Sequence, residues 1–429
     1  MAVSPQDPLT APVAGAAAPP AAREPRAYVP TLALANFGVY IALLTPVMLT
    51  MALKVQHLVG TERQASVLGT VLGIGALFAL VCNPLAGRLS DRTTSRLGMR
   101  KPWVLGGAVG GFLALALVGS ATSVWMLVVG WCLAQALLNG ALAAVNATLP
   151  DQVPEHRRGL ASGLVGIGIP LAILTGSLIA NAFSSDVTRF VAPAALALLL
   201  CALFALLLHD RTRESRPAQP FGFREFVGSF VFDPRKHPDF GWAWLTKFLV
   251  MFGYAGIATY LLYFLQAQFG LDEAAAVGVV VAANIASTVA MIASSFVGGW
   301  LSDRVGRRKP FVTAAGVIMV VGLVLLAFAP STAVVVVAQG IIGLGAGSFM
   351  SVDLALATQV LPDPEDTAKD LGVLNMANAL PQSLAPMIAP AVIALGDGTA
   401  VGGYPAWYAF GALVSLVGAL LVHRIKGVR

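Results

Sequence analysis

Long apolar runs alternate with short polar breaks along the whole chain, and the runs recur at a length near 20 residues. A run of that length crosses a hydrocarbon core as a helix, whereas an open strand would leave its backbone groups unsatisfied in lipid. The pattern predicts twelve spans, at 30–54, 65–87, 103–120, 123–148, 159–181, 190–208, 242–267, 274–300, 311–329, 332–360, 371–395 and 404–422. Between the sixth and seventh, residues 209–240 hold Arg211, Arg213, Arg216, Arg224, Arg235 and Lys236 with several prolines, and read as a linker. The expected fold is an all-α membrane protein of twelve transmembrane helices in two pseudo-symmetric six-helix bundles, 30–208 and 241–423. Residues 1–29, rich in Ala and Pro, are expected to be a disordered tail, and 424–429 a second short tail.

The two halves carry a repeat. Gly87 to Trp103 reads GRLSDRTTSRLGMRKPW, and Gly299 to Phe311 reads GWLSDRVGRRKPF. Leu149-Pro150-Asp151 is matched by Leu361-Pro362-Asp363, so the copies align at an offset of 212, and the first turn has four extra residues around Thr93 to Arg96. Two copies of a six-helix unit joined by a polar linker are the mark of a transporter built from parallel repeats.

Composition agrees. Hydrophobic residues make up 57% and charged residues 11%, against about 25% charged in a soluble domain. With both termini on the cytoplasmic side, 23 of the 27 Lys and Arg residues fall on that side, which sets the orientation in a plasma (inner) membrane. The net charge of +6 is therefore an address for lipid, not a nucleic-acid footprint. Cys82, Cys132 and Cys201 lie in apolar runs with no metal or redox spacing, and no cofactor or metal site is expected. No hydrolase, metalloprotease or phosphate-binding motif appears, so an enzyme is not expected.

Gly-x-Leu-Ser-Asp-Arg followed by Gly-x-Arg-Lys-Pro resembles the loop motif of the major facilitator superfamily, and the resemblance covers nearly all of the chain. The longer first turn and the stretch LPDQVPEHRRGLASG, Leu149 to Gly163, are similar to the sucrose transporters and the glycoside–pentoside–hexuronide cation symporters. Met99 departs from that branch, where Arg is common. Gly166, Gly168 and Pro170 faintly resemble the Gly-Pro signature of drug/proton antiporters.

The resemblance implies alternating access, with a cytoplasmic gate built from the two turns. Gly87 and Gly299 permit close helix approach, and Asp91, Arg92, Arg96, Arg304 and Asp303 lie in the turns. The expected contacts cross between the halves: Asp303 to Arg157 or Arg158, and Arg92 or Arg96 to Asp370. It also implies that spans 1, 4, 7 and 10 line a central cavity. Trp131, Gln135 and Asn139 share one face of span 4 at spacings of four, an aromatic platform beside amides that suits a sugar. Asn36 and Tyr40 of span 1, Tyr254 of span 7, and Asn375, Asn378 and Gln382 of span 11 are further candidates for substrate contact. Tyr260 and Tyr263 read equally as an interfacial belt.

Asp353 is the one acidic residue of 21 that belongs to no loop or tail. A carboxylate there costs roughly 2.5–3.5 kcal/mol to insert, so it is expected to face a cavity or a partner and to exchange a proton or hold another coupling cation. Lys247 is expected to snorkel to the membrane surface. The reading is a monomeric secondary transporter of a small polar organic solute, a sugar or glycoside, by proton symport. Its rivals are a proton-driven multidrug or metabolite exporter and a non-transporting sensor or lipid scramblase.

Overall fold

The computed structural model describes residues 27–212, 234–360 and 367–426. Most of the two tails, most of the linker and the Arg157 side chain lie outside the described residues. Those described form α1 (Tyr28–Thr45), which passes through a π-helical turn at Pro46–Thr50 into α2 (Met51–Ser90). They continue through α3 (Lys101–Gly119), α4 (Val124–Gln152), α5 (Glu155–Ala182) and α6 (Asp186–Leu207). The second half holds α7 (Pro238–Phe269), α8 (Glu273–Val305), α9 (Lys309–Ala327), α10 (Thr332–Ala357), α11 (Thr367–Asp397) and α12 (Gly403–Leu421).

Among the described residues twelve crossings result, because α2 is broken near its start. Gly60 has φ 69° and ψ −175°, a backbone state open to glycine and strained for any residue with a Cβ. The first crossing thus runs from Tyr28 to the neighbourhood of Gly60, and the second from there to Ser90. Within the first crossing Pro46 supplies no N–H to the helical ladder. Its carbonyl accepts from the Met51 N–H five residues on, which makes the π turn.

Packing obeys the repeat. In the first half α2 and α3 pack on α4, α1 packs on α5 and α6, and α3 on α6; in the second, α8 and α9 pack on α10, α7 on α11 and α12, and α9 on α12. Between halves, α2 lies against α11 and its repeat mate α8 lies against α5. Small residues allow this contact: a Cβ on Gly69 would stand 2.2 Å from the Pro386 carbonyl oxygen, and one on Gly73 would overlap the Met387 side chain. In lipid, such close backbone approach supplies the packing that solvent exclusion supplies in water. Many large apolar side chains point outward, among them Leu113, Leu199, Leu206, Phe296 and Val337, as expected of a surface that faces acyl chains.

Candidate functional site

Between the halves, at the depth of the π turn, lies a narrow cavity of about 20 Å³, room for about one water molecule. Met48 of the π turn and Ile173 of α5 line it from the first half; Tyr254, Asn284, Thr288, Met291 and Gln339 line it from the second. Asn284 Nδ2 donates to Ser177 Oγ of α5 at 2.8 Å. The lining mixes amides, hydroxyls and thioether or branched apolar groups, and none of it is charged. Of the sequence candidates, Tyr254 is in this lining. Asn284, Thr288 and Gln339 were not anticipated. Asn284 is the single amide within the apolar run 274–300, and that isolation is the signal that could have found it; Gln339 shares the run 332–360 with Gln359 and is not marked out in that way.

Other candidates are placed differently. Gln135 and Asn139 do share a face of α4, and they bond to each other: Asn139 Nδ2 donates to Gln135 Oε1 at 2.9 Å, while Asn83 of α2 donates to Asn139 Oδ1 at 3.4 Å. Trp131 has no exposed surface; its indole fills the slot left by Gly75 of α2, so in this conformation it packs two helices and offers no face to a ligand. Asn36 is also fully buried, donating to Leu32 O at 3.0 Å, with its Oδ1 unpartnered. Tyr40 is half-buried, as is Asn378, whereas Asn375 and Gln382 are exposed.

Nearer the face that carries the basic turns, Lys247 Nζ stands 2.8 Å from Asp353 Oδ2, with both side chains under 10% exposed. The expectation that Lys247 snorkels is therefore corrected. Two buried charges on α7 and α10 offset each other's desolvation, which neither could do alone.

The turns themselves are organised by a residue that sequence reasoning passed over. Arg100 donates to Ser90 Oγ and pairs with Asp91, both at 2.5 Å, and reaches Asp151 at 3.5 Å. In the twin turn Arg308 donates to Ser302 Oγ at 3.0 Å and pairs with Asp303 at 2.5 Å. The Arg of each Arg-Lys-Pro triplet folds back on its own Ser-Asp. Asp303 thus turns to Arg308 of its own half in this conformation, not across to Arg158. Arg158 donates to the Val153 and Pro150 carbonyls at 3.0 and 3.1 Å, closing the end of α4. Arg304 lies over the Trp300 ring at 5.3 Å, Asp370 is buried, Arg92 half-buried and Arg96 exposed. Gly87 and Gly299 leave ordinary room beside Ala143 and Ser351. Among the extra residues, Thr93 Oγ1 accepts from Trp103 Nε1 at 2.8 Å; Gly98, which the twin turn shares as Gly306, has φ 108° and brings the chain against Asp210. Asp210 in turn accepts from the Arg100 and Lys101 amides at 2.7 and 2.8 Å.

At the opposite face the halves are sealed together. Tyr263 donates to the Ala52 carbonyl at 2.7 Å, and the Tyr260 hydroxyl lies 2.9 Å from Pro386 O and 3.2 Å from Ala65 O. These tyrosines close the space between bundles and are not a lipid belt.

A protein-family model described as Major Facilitator Superfamily matches residues 31–294 and 275–426. The chain belongs to the Major Facilitator Superfamily. It is a multi-pass membrane transporter. It is 26% identical over 288 residues to the "Multidrug resistance protein MdtG" of Citrobacter koseri, covering 66% of this chain and 67% of that one. The protein of the same name from Escherichia coli O9:H4 is 26% identical over 252 residues, 57% of this chain and 58% of the relative. Among solved structures, nucleoside transporter NupG superposes with a TM-score of 0.74 at 15% identity, covering 93% of this chain and 99% of its own. A bacterial homologue of the human lysosomal transporter Spinster, in an inward-facing, unoccupied conformation, gives 0.70 at 15% identity over 93% and 94%. At these identities the superpositions speak for the superfamily fold alone.

Proposed function

We propose that this chain is a secondary active transporter of an uncharged, amphipathic organic solute, working by alternating access and exporting it in exchange for protons. The observation that carries the reading is the cavity shared by the halves, whose lining holds Met48, Ile173 and Met291 beside Asn284, Thr288 and Gln339 with no charge among them. Thioethers adapt to varied apolar shapes, while a few amides and hydroxyls orient polar groups. With Trp131 consumed by packing on Gly75, the stacking platform that favoured sugars is spent, and the multidrug name of the relatives supports export. Orientation follows the basic turns, so both termini and Arg100 and Arg308 lie on the cytoplasmic side of the inner membrane. The sealed face is then external, and transport requires the halves to part there. Asp353 is the proton-exchanging group. It alternates between pairing with Lys247 and carrying a proton, and the crossed contacts of Asp303 and Asp370 belong to the state in which the cytoplasmic side closes.

Uptake of a sugar or glycoside by proton symport is the second reading, supported by the four-residue extension that folds as the Thr93–Trp103 bond and by its likeness to the sugar-related branch. Vesicles containing the full chain separate the two. Efflux of a lipophilic dye driven by an imposed pH gradient supports the first, whereas gradient-driven accumulation of labelled sucrose or maltose without dye efflux replaces it with the second.

A further inference from the structure

The sealed face contains one group whose contacts depend on its protonation. His57 stands three residues before the Gly60 break, on the extension of the first crossing, and its side chain is 39% exposed. Its Nδ1 lies 2.9 Å from Asp186 Oδ1 and its Nε2 lies 2.7 Å from Glu273 Oε2. A neutral imidazole has one N–H and one lone pair. It can therefore donate to one of these carboxylates while presenting a lone pair to the other, which is repulsive. Only the imidazolium satisfies both contacts.

The two carboxylates belong to different halves. Asp186 opens α6 of the first, and Glu273 opens α8 of the second. Among the described residues, three further charged groups belong to these surroundings. From His57's own segment, Lys54 pairs with Asp186 at 3.2 Å. From α6, Arg189 pairs with Glu273 at 2.9 Å and donates to the Phe183 carbonyl at 2.8 Å, which fixes it to the end of α5. From the loop before α8, Asp272 is engaged in accepting from the Ala275 amide at 2.8 Å. When His57 loses its proton, Asp186 keeps Lys54 and Glu273 keeps Arg189. The bridge from the first crossing to α8 is what weakens.

We infer that His57 is a proton-operated latch that biases the transporter toward the conformation closed at this face. The latch lies at the surface of the sealed side, so it takes its proton from the medium it closes against and returns it there. It sets how often the face opens without adding a translocated proton. Acid medium holds the face shut; raising the pH releases one charge-assisted bridge across the halves. In the orientation proposed above, external acidity favours the cytoplasm-facing state, the return limb of a proton-driven exporter's cycle.

This inference rests on the alternating-access reading, and the test distinguishes the two. Spin labels are placed on exposed positions on either side of the seal, Thr61→Cys and Ala274→Cys, in the full chain carrying Cys82→Ala, Cys132→Ala and Cys201→Ala. Interlabel distances are measured in lipid nanodiscs between about pH 5.5 and about pH 8.5, spanning the range in which imidazoles titrate. The open fraction should rise about tenfold or more across that range, the equivalent of losing one charge-assisted hydrogen bond. His57→Gln should be as open at the acid end as at the alkaline end, and His57→Arg should stay closed throughout. Two distance populations with the same pH response in His57→Gln as in the parent would overturn the latch and leave alternating access standing. A single population at every pH and in every variant would overturn both.

Discussion

Lys247 and Asp353 form an ion pair of 2.8 Å inside the second bundle, joining α7 to α10 with both side chains under 10% exposed. Removing one member of such a pair strands the other charge, at a cost of about 3–5 kcal/mol, whereas replacing both with neutral groups is far less damaging. Asp353→Asn and Lys247→Met should each lower the unfolding temperature of the detergent-solubilised protein sharply, and the double variant should recover most of the loss. Additive single effects in that cycle would show that the pair does not act as a unit.

The same double variant separates folding from coupling. It should still equilibrate solute down a concentration gradient across vesicles but fail to concentrate it when a pH gradient is imposed. Gradient-driven accumulation at the parent level would remove Asp353 from the coupling step.

The two turns share a plan and differ in burial, which predicts unequal sensitivity. The Arg100 side chain is 6% exposed and contacts Ser90, Asp91 and Asp151, whereas Arg308 is 17% exposed and its partner Asp303 is 68% exposed. Asp91 and Asp303 are 55% and 68% exposed, so water screens both pairs to about 1 kcal/mol or less; what differs is the buried hydrogen bond from Arg100 to Ser90 Oγ, whose loss strands a buried polar group at about 1–3 kcal/mol. Arg100→Gln should therefore destabilise the protein more than Arg308→Gln, as read by thermal unfolding. Equal losses would contradict the assignment.

Much of this architecture is legible in the sequence, because the apolar runs have membrane length and the duplicated turn announces the repeat. Asp353 is also legible, as a lone carboxylate within a run. Its partner is not. Lys247 lies nine residues from the start of α7 at Pro238, close enough to a span edge to read as interfacial, and only the rotation of α7 against α10 turns it inward. Trp131 fails for a related reason: spacing shows that it shares a face with Gln135, but not that Gly75 on another helix leaves a slot for its ring. The Arg100 and Arg308 contacts depend on how each turn folds back, which charge spacing along the chain does not encode. His57 escaped notice because its two carboxylates come from α6 and α8, distant in sequence from it and from each other.

The contact of α2 with α11 offers a test of closure. A Cβ at Gly69 would stand 2.2 Å from the Pro386 carbonyl oxygen, a backbone atom that cannot rotate away. Gly69→Val should hold the sealed face apart, so that a thiol reagent added on that side labels Ala65→Cys more than tenfold faster than in the parent, while net transport is lost. Unchanged labelling would mean that the α2–α11 approach does not close this face.

In the cavity, Asn284→Leu or Gln339→Leu should weaken the apparent affinity for a polar-headed solute about tenfold, the equivalent of about 1.4 kcal/mol. A purely apolar dye should be affected little. Trp131→Phe should leave both affinities unchanged and lower stability, since its ring packs on Gly75. A loss of solute affinity without a loss of stability in Trp131→Phe would return that residue to the binding site.

The central claim, outward transport of an uncharged amphipathic solute driven by protons, is tested most directly in inverted membrane vesicles containing the full chain. With the lumen acidified, a neutral amphipathic dye should accumulate inside, and the accumulation should collapse when the pH gradient is dissipated and in the Lys247→Met, Asp353→Asn double variant. Dye accumulation equal to that of empty vesicles, or accumulation that survives loss of the gradient, would contradict the account.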